Sequence, residues 1–437
     1  MPSPRLPLLI AREFRGLLAS RAFWLLLLLT GPLVGQGFIA AVETYAEASG
    51  AGGGPAALSQ GLSPLDGILV PTFGAYDIAV TLLFPFVAIR LISAGKASGA
   101  WKLLLQSPAR LGTLLFAKAA ALAAGWLLAW IPGLLALALW KSYGGWLYGP
   151  ELLNLLLGHL LRVAIAAGVA VAAAAIANGA ATAAIATLGF TVGTWALDFV
   201  AAGRGGWLAR AAAYTPTAAL RVFEQGQLRL GTAAVALLLG LAGFAIARIW
   251  LDPAATTLAH ALRAALLVLG FAALLLGAGR IRAAWDLSEN RRNSFSAADE
   301  AALRRIREPL RITVWLAPED PRLSDFDRGI LRKLERILPA VRVDYAAQSR
   351  TGLFEGAADR YGEIWYELAG RRVMSRSTTE PIVLDTLYAL AQVPPPAGRD
   401  DRPYPGHPLA ARPAGAALLY YAFWPLVVAL AAWLYLR

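Results

Sequence analysis

The sequence predicts a polytopic α-helical membrane protein with six spans, two further spans and a small α/β domain. Hydrophobic residues make up 58% of the 437 positions and charged residues only 16%, which is too apolar for a soluble enzyme. Apolar runs of about 20 residues, the length that crosses a bilayer, recur up to position 279. Beyond that position charges of both signs are interspersed, as in a folded domain exposed to water.

The composition also excludes several kinds of site. The chain has no cysteine, and its three histidines, His159, His260 and His407, lie far apart. Disulfides and metal sites built on thiolates or clustered histidines are therefore excluded, and no cofactor is expected in this chain. We expect each histidine at an interface or in a loop. The net charge of +12 does not indicate nucleic-acid binding, because the basic residues form no stripe that would follow phosphates.

Residues 1–21 predict an amphipathic helix that lies at the membrane surface. Its apolar residues recur at helical spacing, with arginines on the other faces: Leu6, Ile10, Phe14 and Leu17. Residues 22–41 are long enough to form a first span instead of a cleavable signal peptide. This span is expected to run outward, because the loop after it has acidic residues but no lysine or arginine.

Five more apolar runs complete the segment 22–250. We expect these spans at about residues 76–93, 112–140, 151–176, 180–201 and 232–250. Pro132 predicts a kink or a break in the third span, which neighbouring helices can tolerate. The fourth and fifth are rich in alanine and glycine on either side of a turn at Asn178-Gly179, which predicts close packing of these two helices or a seam with a second copy.

Arginines in this segment leave two questions open. Arginine in the membrane interior costs roughly 2.5 to 3.5 kcal/mol, so Arg162 is expected to face the bundle, the interface or a partner, in a structural role or in contact with substrate. Four arginines between the fifth and sixth spans depart from the positive-inside rule: Arg204, Arg210, Arg221 and Arg229. Residues 203–230 then form either a re-entrant pair of short helices with basic residues at the outer headgroups, or a span counted wrongly.

The loop between the second and third spans is the main functional clue. Residues 91–121 contain four basic residues and no acidic one, which places the loop in the cytoplasm. Gly99 follows a polar turn, residues 101–106 predict a short helix, and Ser107-Pro108 ends it. A short helix below the membrane is what a protein needs if force from a separate soluble motor is to reach its spans.

This loop resembles that of the ABC-2 type permeases, the membrane subunits of ATP-driven exporters. The match consists of Gly99, Leu104, Leu105, Pro108 and Lys118, whereas Lys96 and Ala100 stand where the family usually has Glu and Thr. Thr215-Pro216, Phe223 and Gly226 hold the places of the family's outer segment before the sixth span.

The resemblance implies several partners. A separate ATPase subunit, which carries ATP and magnesium, would contact a coupling loop made of these residues: Lys96, Gly99, Trp101, Lys102, Leu104, Leu105 and Pro108. A second copy or a related permease would complete the transporter, in contact with membrane lipid. The bacterial cytoplasmic membrane is the implied location, with residues 280–414 outside the cytoplasm.

A second module follows the first 250 residues. Residues 251–279 form an inner loop and a seventh span, residues 280–393 a small α/β domain, residues 394–414 a proline-rich linker and residues 415–437 a last span. Within the domain we expect a strand with Ile312, Val314 and Leu316, a helix over 325–338 and a strand over 341–345. A hairpin with its turn at Ala369-Gly370 and a final helix follow. This order is typical of a thioredoxin-like sheet, although without cysteine it cannot perform redox chemistry.

The opening of this domain resembles the auxiliary component of the gliding-motility-type ABC transporters. The matching residues of the opening are Asp286, Leu287, Ser288, Arg292, Ser294, Phe295 and Ser296, and those of the first strand are Pro309, Ile312, Val314 and Leu316. The resemblance implies that the outer domain couples transport to a cargo or an external partner. The domain is shorter here than in that family.

The sequence also shows what chemistry is missing. There is no G-x-x-x-x-G-K-[ST] motif, so nucleotide hydrolysis is expected on another polypeptide. Only Asp77 and Asp198 lie in or at the edges of the spans, and no serine–histidine or paired-aspartate arrangement suggests an intramembrane protease. We therefore expect a permease subunit and not an enzyme. The alternatives are a membrane-anchored scaffold or sensor, and a secondary carrier without ATP coupling.

Overall fold

The computed structural model describes residues 6–51, 61–105, 110–201, 206–212, 214–281, 283–317, 320–347, 360–397 and 404–437. Within these ranges, eight helices are long and apolar enough to cross a membrane. In chain order, spans one to eight are Arg21–Gly50, Leu65–Ala97, Leu111–Ser142, Gly149–Ile176, Ala180–Ala201, Leu230–Trp250, Thr257–Gly279 and Ala416–Leu436. The polytopic helical membrane protein expected from the apolar runs is thus the architecture observed. Span two begins at Leu65, earlier than the expected residue 76, because hydropathy marks only the part that crosses hydrocarbon.

Span four is the most buried of the eight and span seven the least. Spans one to four share a core of leucines and aromatic rings. Span eight packs on span one, where the Trp424 indole donates a hydrogen bond to the Leu27 carbonyl at 2.8 Å. The remaining spans keep apolar side chains exposed, as helices in contact with lipid or a second subunit do.

Spans four and six approach each other through small residues. A Cβ added at Gly168 would overlap the backbone of Gly240, and one added at Gly243 would overlap the backbone of Gly168. Spans four and five were expected to pack closely or to form a seam with a second copy. They do contact each other, but a Cβ at Gly189 or Gly193 of span five meets no atom within 4 Å, so span four makes its tightest contact with span six. A run of small residues indicates a close contact but does not identify the neighbour.

Pro132 interrupts span three, as its position predicts. The span consists of Leu111–Ala129 and Ile131–Ser142, and the Tyr76 hydroxyl is inserted between them. This hydroxyl donates to the Ala129 carbonyl at 2.9 Å and accepts from the Gly133 amide at 2.9 Å. It thereby satisfies two backbone groups of the broken helix from a neighbouring span.

Replacing Tyr76 with phenylalanine is expected to lower the free energy of unfolding by about 1 to 3 kcal/mol, because the Ala129 carbonyl and the Gly133 amide lose their bridge in a dry interior. Thermal unfolding in detergent measures this loss. Tyr421→Phe is the matched control, since the Tyr421 hydroxyl is at an exposed position and donates to the Gln36 side chain at 2.7 Å. Equal melting temperatures for the two variants would show that the bridge contributes nothing.

The first helix, Leu6–Leu18, packs differently from its predicted stripe. Leu9, Glu13 and Leu17 are buried, whereas Leu6 is exposed. Ile10 and Phe14 are partly buried against the core, so the predicted stripe was partly right. The difference arises from Glu13, whose carboxylate forms a buried ion pair that an apolar periodicity does not register.

Two short helices, Gly206–Ala212 and Pro216–Glu224, and strand β1, Gln227–Arg229, connect spans five and six. Thr215 caps the second helix by accepting the Ala218 amide at 3.1 Å. Its Phe223 carbonyl accepts from Asn154 of span four at 3.0 Å, so this helix packs against the bundle. The arrangement agrees with a pair of short helices and not with a miscounted span. Arg204 lies outside the described residues.

The segment after span seven begins with β2, Ala284–Asp286, which pairs antiparallel with β1. Four strands follow: β3, Leu310–Val314; β4, Val341–Tyr345; β5, Ile364–Leu368; and β6, Arg371–Ser375. Their order is β4-β3-β5-β6, with β3 parallel to β4 and the other neighbours antiparallel. Ala369 and Gly370 both have positive φ, as a two-residue hairpin turn requires.

Helices cover this sheet. The chain is helical from residue 321 to 337, four residues earlier than expected at the start, and the other helices are Ala297–Leu303 and Glu380–Ala391. Ser296 caps the first of these by accepting the Asp299 amide at 3.1 Å. Phe326, Ile330 and Leu334 are buried in the core of this unit. Leu316, expected in the first strand, is buried just beyond the end of β3.

An aspartate at the edge of the sheet gives the unit a pH dependence. Asp320 accepts hydrogen bonds from Arg322 at 2.8 Å and from the Tyr361 hydroxyl at 2.8 Å. Its pKa is lowered from 3.8 to about 2, chiefly by the hydrogen bonds from Arg322. A lowered carboxyl pKa adds stability above the unfolded pKa, and this stability is lost as the pH falls through the folded pKa.

The four-stranded sheet and the helices that cover it are called the sheet unit below. We expect its melting temperature to drop between about pH 4 and pH 2. The variant Asp320→Asn should flatten this part of the profile. Tryptophan fluorescence during heating at a series of pH values measures both effects. A wild-type slope retained in Asp320→Asn would contradict the assignment.

Candidate functional site

The loop between spans two and three contains the short helix that its residues predict. It runs from Ala100 to Leu105 and follows Gly99, whose φ of 72° is a conformation that favours glycine. Ser98 closes the end of span two by donating to the Ala94 carbonyl at 2.9 Å. The loop helix, as we call residues 100–105, therefore has a defined start.

Trp101 anchors the loop helix to the membrane-spanning helices, which together are called the membrane part. Its ring is buried, its indole N–H donates to the Ile92 carbonyl at 3.2 Å, and the Lys118 ammonium lies 5.3 Å from its centre. Ile92 belongs to span two and Lys118 to span three. A displacement of the loop helix must therefore act on both spans.

Lys118 also joins the first helix to this group. Its ammonium lies 2.6 Å from the Glu13 carboxylate and donates to the Leu91 carbonyl at 3.0 Å. Both charged side chains are more than nine-tenths buried. Removing one partner of such a pair leaves an uncompensated charge away from water, so the pair holds the first helix, span two and span three together.

Lys96, the first residue of the predicted coupling loop, faces the interior of the chain. Its ammonium donates to three carbonyls at the end of span four, those of Ala174 at 3.1 Å, Ala175 at 2.9 Å and Ala177 at 2.7 Å. A cation at this position satisfies carbonyls that the helix leaves free and complements its dipole. Lys96 thus ties the loop to span four.

The remaining residues of the predicted coupling loop divide into three groups. Leu104 is partly buried against the core. Lys102 and Leu105 belong to the loop helix, but their side chains are outside the described part of the structure. Pro108 lies outside the described residues.

Leu103 is a surface residue that the sequence did not single out. Its side chain is 71% exposed on the loop helix. In a run of three leucines, composition does not show which one faces outward. The structure therefore adds an exposed apolar contact point to the anchored loop.

A buried ion pair connects spans two and four within the bundle. Arg162 is only 1% exposed, and its guanidinium lies 2.8 Å from the Asp77 carboxylate and 3.1 Å from the Thr81 hydroxyl. Arg162 faces the bundle, one of the positions expected for it. The sequence named both charges but did not pair them.

A second pair joins span five to the short helix before span six. Arg221 forms an ion pair with Asp198, whose side chain is largely buried while that of Arg221 is half exposed. Thr191 of span five donates to the Thr81 carbonyl of span two at 2.9 Å. Spans two, four and five and the short helix are therefore linked by polar contacts.

His159 contradicts the expectation of an interfacial or loop position for each histidine. It lies inside the bundle on span four, 5.7 Å from the Phe73 ring, and neither ring nitrogen has a hydrogen-bond partner among the described residues. His260 and His407 do lie near helix ends or in loops. His260 contacts the Asp252 carbonyl at 2.9 Å, and His407 contacts Glu289 at 3.0 Å.

The segment that follows β2 fastens the sheet unit to the membrane part. The Glu289 carboxylate accepts from Trp146 at 3.0 Å and from Tyr404 at 2.9 Å. Arg292 and Asn293 donate to the Gln225 carbonyl at 3.1 and 2.7 Å. This segment is the part of the sequence that resembles an auxiliary subunit. It therefore contacts both the loop after span three and the short helix before span six.

Comparisons of the chain with family models, with curated proteins and with solved structures gave no match. The arrangement of the chain's own residues is then the basis for a function. Three features of the structure bear on a function: the anchored loop helix, the buried charges of the bundle and the junction with the sheet unit.

Proposed function

We propose that the chain is the permease subunit of an ATP-driven exporter of the ABC-2 type. A separate ATPase subunit would bind the loop helix and supply ATP hydrolysis, since the sequence has no P-loop motif of its own. The observation that carries this proposal is the loop helix itself, which is anchored by Trp101 and exposes Leu103.

The contacts of the loop suggest how force would reach the spans. A push on the loop helix would act through Trp101 on span two, through Lys118 on span three and the first helix, and through Lys96 on span four. Buried hydrogen-bonded and ionic contacts resist deformation, so these elements would move as packed bodies. The Asp77–Arg162 pair joins spans two and four further into the bundle.

An orientation in the membrane and a second permease copy are also part of the proposal. We place the loop helix in the cytoplasm, residues 280–414 outside it, and the chain in a bacterial cytoplasmic membrane, in keeping with the positive-inside rule. A second permease copy would cover exposed apolar residues such as Ile185, Trp195 and Phe199 of span five. The sheet unit would couple transport to a cargo or an outer partner through the Glu289 junction.

Single cysteines introduced into this cysteine-free chain test on which side of the membrane each segment lies. Ser98→Cys lies in the exposed turn before the loop helix, and Ile382→Cys is exposed on the last helix of the sheet unit. An impermeant thiol reagent added to intact cells should label position 382 and spare position 98. The reverse pattern would overturn the orientation.

Co-purification of an ATPase tests the function. The wild-type chain extracted from its native membrane should co-purify with ATPase activity. Leu103→Asp should remain folded but co-purify with much less of this activity. Ile382→Asp is the matched control, because it places the same charge on an exposed apolar residue of the sheet unit. ATPase activity equal in all three proteins would exclude the loop helix as the docking point.

The buried charges favour a second candidate, a secondary carrier without ATP coupling. Carriers place ionisable residues inside the membrane, and Asp77 and Arg162 meet this description. A carrier reconstituted alone in vesicles would transport its substrate down an ion gradient without nucleotide, and Asp77→Asn would stop that transport. Transport that requires an added ATPase would exclude this candidate.

A further inference from the structure

A cavity of about 650 Å³ lies between the membrane part and the sheet unit. Its walls are span six, the short helix Pro216–Glu224, the start of β2 and the helix Arg332–Ile337 of the sheet unit. A cavity of this size is in the range that holds a small organic ligand. None of the residues of the proposed coupling loop lines it.

The lower half of the cavity is apolar and enters the bundle. Two helices face it with residues at the spacing of a single helical stripe: Thr232, Val235, Ala236 and Leu239 on span six, and Thr215, Ala218, Ala219 and Val222 on the short helix. Ile165 of span four also contributes to the lining. The stripe on span six extends about 10 Å along the helix axis, so this half is a slot lined by small and aliphatic side chains.

The upper half is cationic and lies where span six begins. Arg229, Arg332 and Arg336 line it, with Glu335 as the one acidic residue in the lining. The Arg336 Nε atom is buried and has no hydrogen-bond partner among the described residues. A partly unsatisfied arginine beside two others favours an anion that would complete their hydrogen bonds.

Two acidic residues outside the lining hold these arginines in place. Asp327 lies 3.1 Å from the Arg332 guanidinium, and Glu300 pairs with Arg336. Burial and the neighbouring Arg332 are the main causes that lower the pKa of Arg229, with Arg336 acting in the same direction and Glu335 against it. The like charges are thus close enough to repel one another, and a bound anion would relieve that repulsion.

We propose that this cavity binds a membrane lipid with an anionic phosphate headgroup. The phosphate would accept hydrogen bonds from Arg229, Arg332 and Arg336, because a planar guanidinium matches two phosphate oxygens at once. An acyl chain would lie in the apolar slot between span six and the short helix. The change from apolar to cationic lining follows the change from hydrocarbon to headgroups across the bilayer surface, which favours a lipid over a soluble anion.

This inference goes beyond the proposed function and does not depend on it. A lipid bound here would touch span six, the short helix and the sheet unit together, whether or not an ATPase drives the chain. A soluble phosphate compound would use the arginines but not the apolar slot. The two halves of the cavity therefore give separate tests of the same site.

Native mass spectrometry of the purified full chain tests the cationic half. With dioleoylphosphatidylglycerol and dioleoylphosphatidylcholine added in turn, the wild type should retain one phosphatidylglycerol per chain with on the order of a tenfold preference. The triple variant Arg229→Gln, Arg332→Gln and Arg336→Gln should lose this preference. The matched control replaces three exposed arginines of the sheet, Arg311, Arg342 and Arg372, with glutamine and should keep it. A preference that survives in the first triple variant would overturn the proposal.

A bulky residue tests the apolar half. Val235→Trp fills the slot and should abolish retention of phosphatidylglycerol, whereas Leu237→Trp, on the exposed side of the same span, should not. Glycerol 3-phosphate added in excess should displace little lipid from the wild type. Full displacement by glycerol 3-phosphate would show a site for soluble phosphates. Unchanged lipid binding in Val235→Trp would show that the acyl chain does not lie in the slot, and either result would overturn the proposal.

A second measurement guards against variants that misfold. A phosphatidylglycerol analogue with a photoreactive acyl chain, irradiated with the wild-type chain in membranes, should label peptides that contain residues 215–222 or 232–239. Unlabelled phosphatidylglycerol should compete more effectively than phosphatidylcholine. Labelling confined to the exposed faces of spans seven and eight would contradict the assignment.

Discussion

Replacing Gly243 with leucine should prevent most of the chain from folding, because the side chain would overlap the backbone of Gly168 where spans four and six touch. Backbone atoms cannot yield as a flexible side chain does, so we expect a loss of more than about 3 kcal/mol. The fraction of monodisperse protein after extraction, together with the melting temperature in detergent, measures this loss.

Gly270→Leu on span seven is the control, because a Cβ at this position meets no atom within 4 Å and span seven is the least buried of the eight. It introduces the same side chain into a membrane helix and should extract and melt like the wild type. If Gly243→Leu behaved in the same way, the close approach of spans four and six would be wrong.

Replacing Asp77 with asparagine should destabilise the chain by about 3 to 5 kcal/mol, the cost of leaving one partner of a buried ion pair uncompensated. Arg162 has almost no exposure, and among the described residues it keeps only the Thr81 hydroxyl as a partner when the carboxylate is removed. Unfolding in a denaturing detergent series measures the change. Asp252→Asn should cost less than about 1 kcal/mol, since its pair with Arg263 is exposed.

A double variant separates stability from function. Asp77→Leu combined with Arg162→Met removes both charges and should recover most of the lost stability, because well-packed apolar residues replace a buried pair at little cost. If this variant folds but does not transport, the pair takes part in transport itself. A double variant as unstable as Asp77→Asn would show that other buried groups depend on these charges.

The sequence predicted local features well because each depends on nearby residues. Apolar length located the spans, Pro132 located the break in span three, and Ala369-Gly370 located the hairpin turn. Gly99 and the residues after it indicated the loop helix. In each case, the physical cause lies within a few positions of the feature.

Contacts between distant residues were not predictable in the same way. Glu13 and Lys118 are 105 positions apart, and Asp77 and Arg162 are 85 apart. A single sequence shows that a charge lies in an apolar helix but not which neighbour it meets. The tight contact of spans four and six was missed for the same reason, since a helix periodicity identifies a face and not the helix that covers it.

The cationic cavity could be predicted from the sequence only in part. Arg229 was seen as a departure from the positive-inside rule, whereas no pattern in the sequence singled out Arg332 and Arg336. The antiparallel pairing of β1 with β2 joins the end of the short-helix segment to the start of the sheet unit. Only this tertiary contact explains why arginines about one hundred positions apart line one cavity.

Photocrosslinking from position 103 is the most direct test of the central claim, that a separate ATPase docks on the loop helix. Leu103→Cys would be the only cysteine of the chain and can carry a short photoreactive label, with Ile382→Cys as the matched control. In native membranes, the label at position 103 should capture a nucleotide-binding polypeptide, with a yield that changes when ATP is added, and the label at position 382 should not. Capture of such a polypeptide from position 382 but not from position 103 would contradict the account.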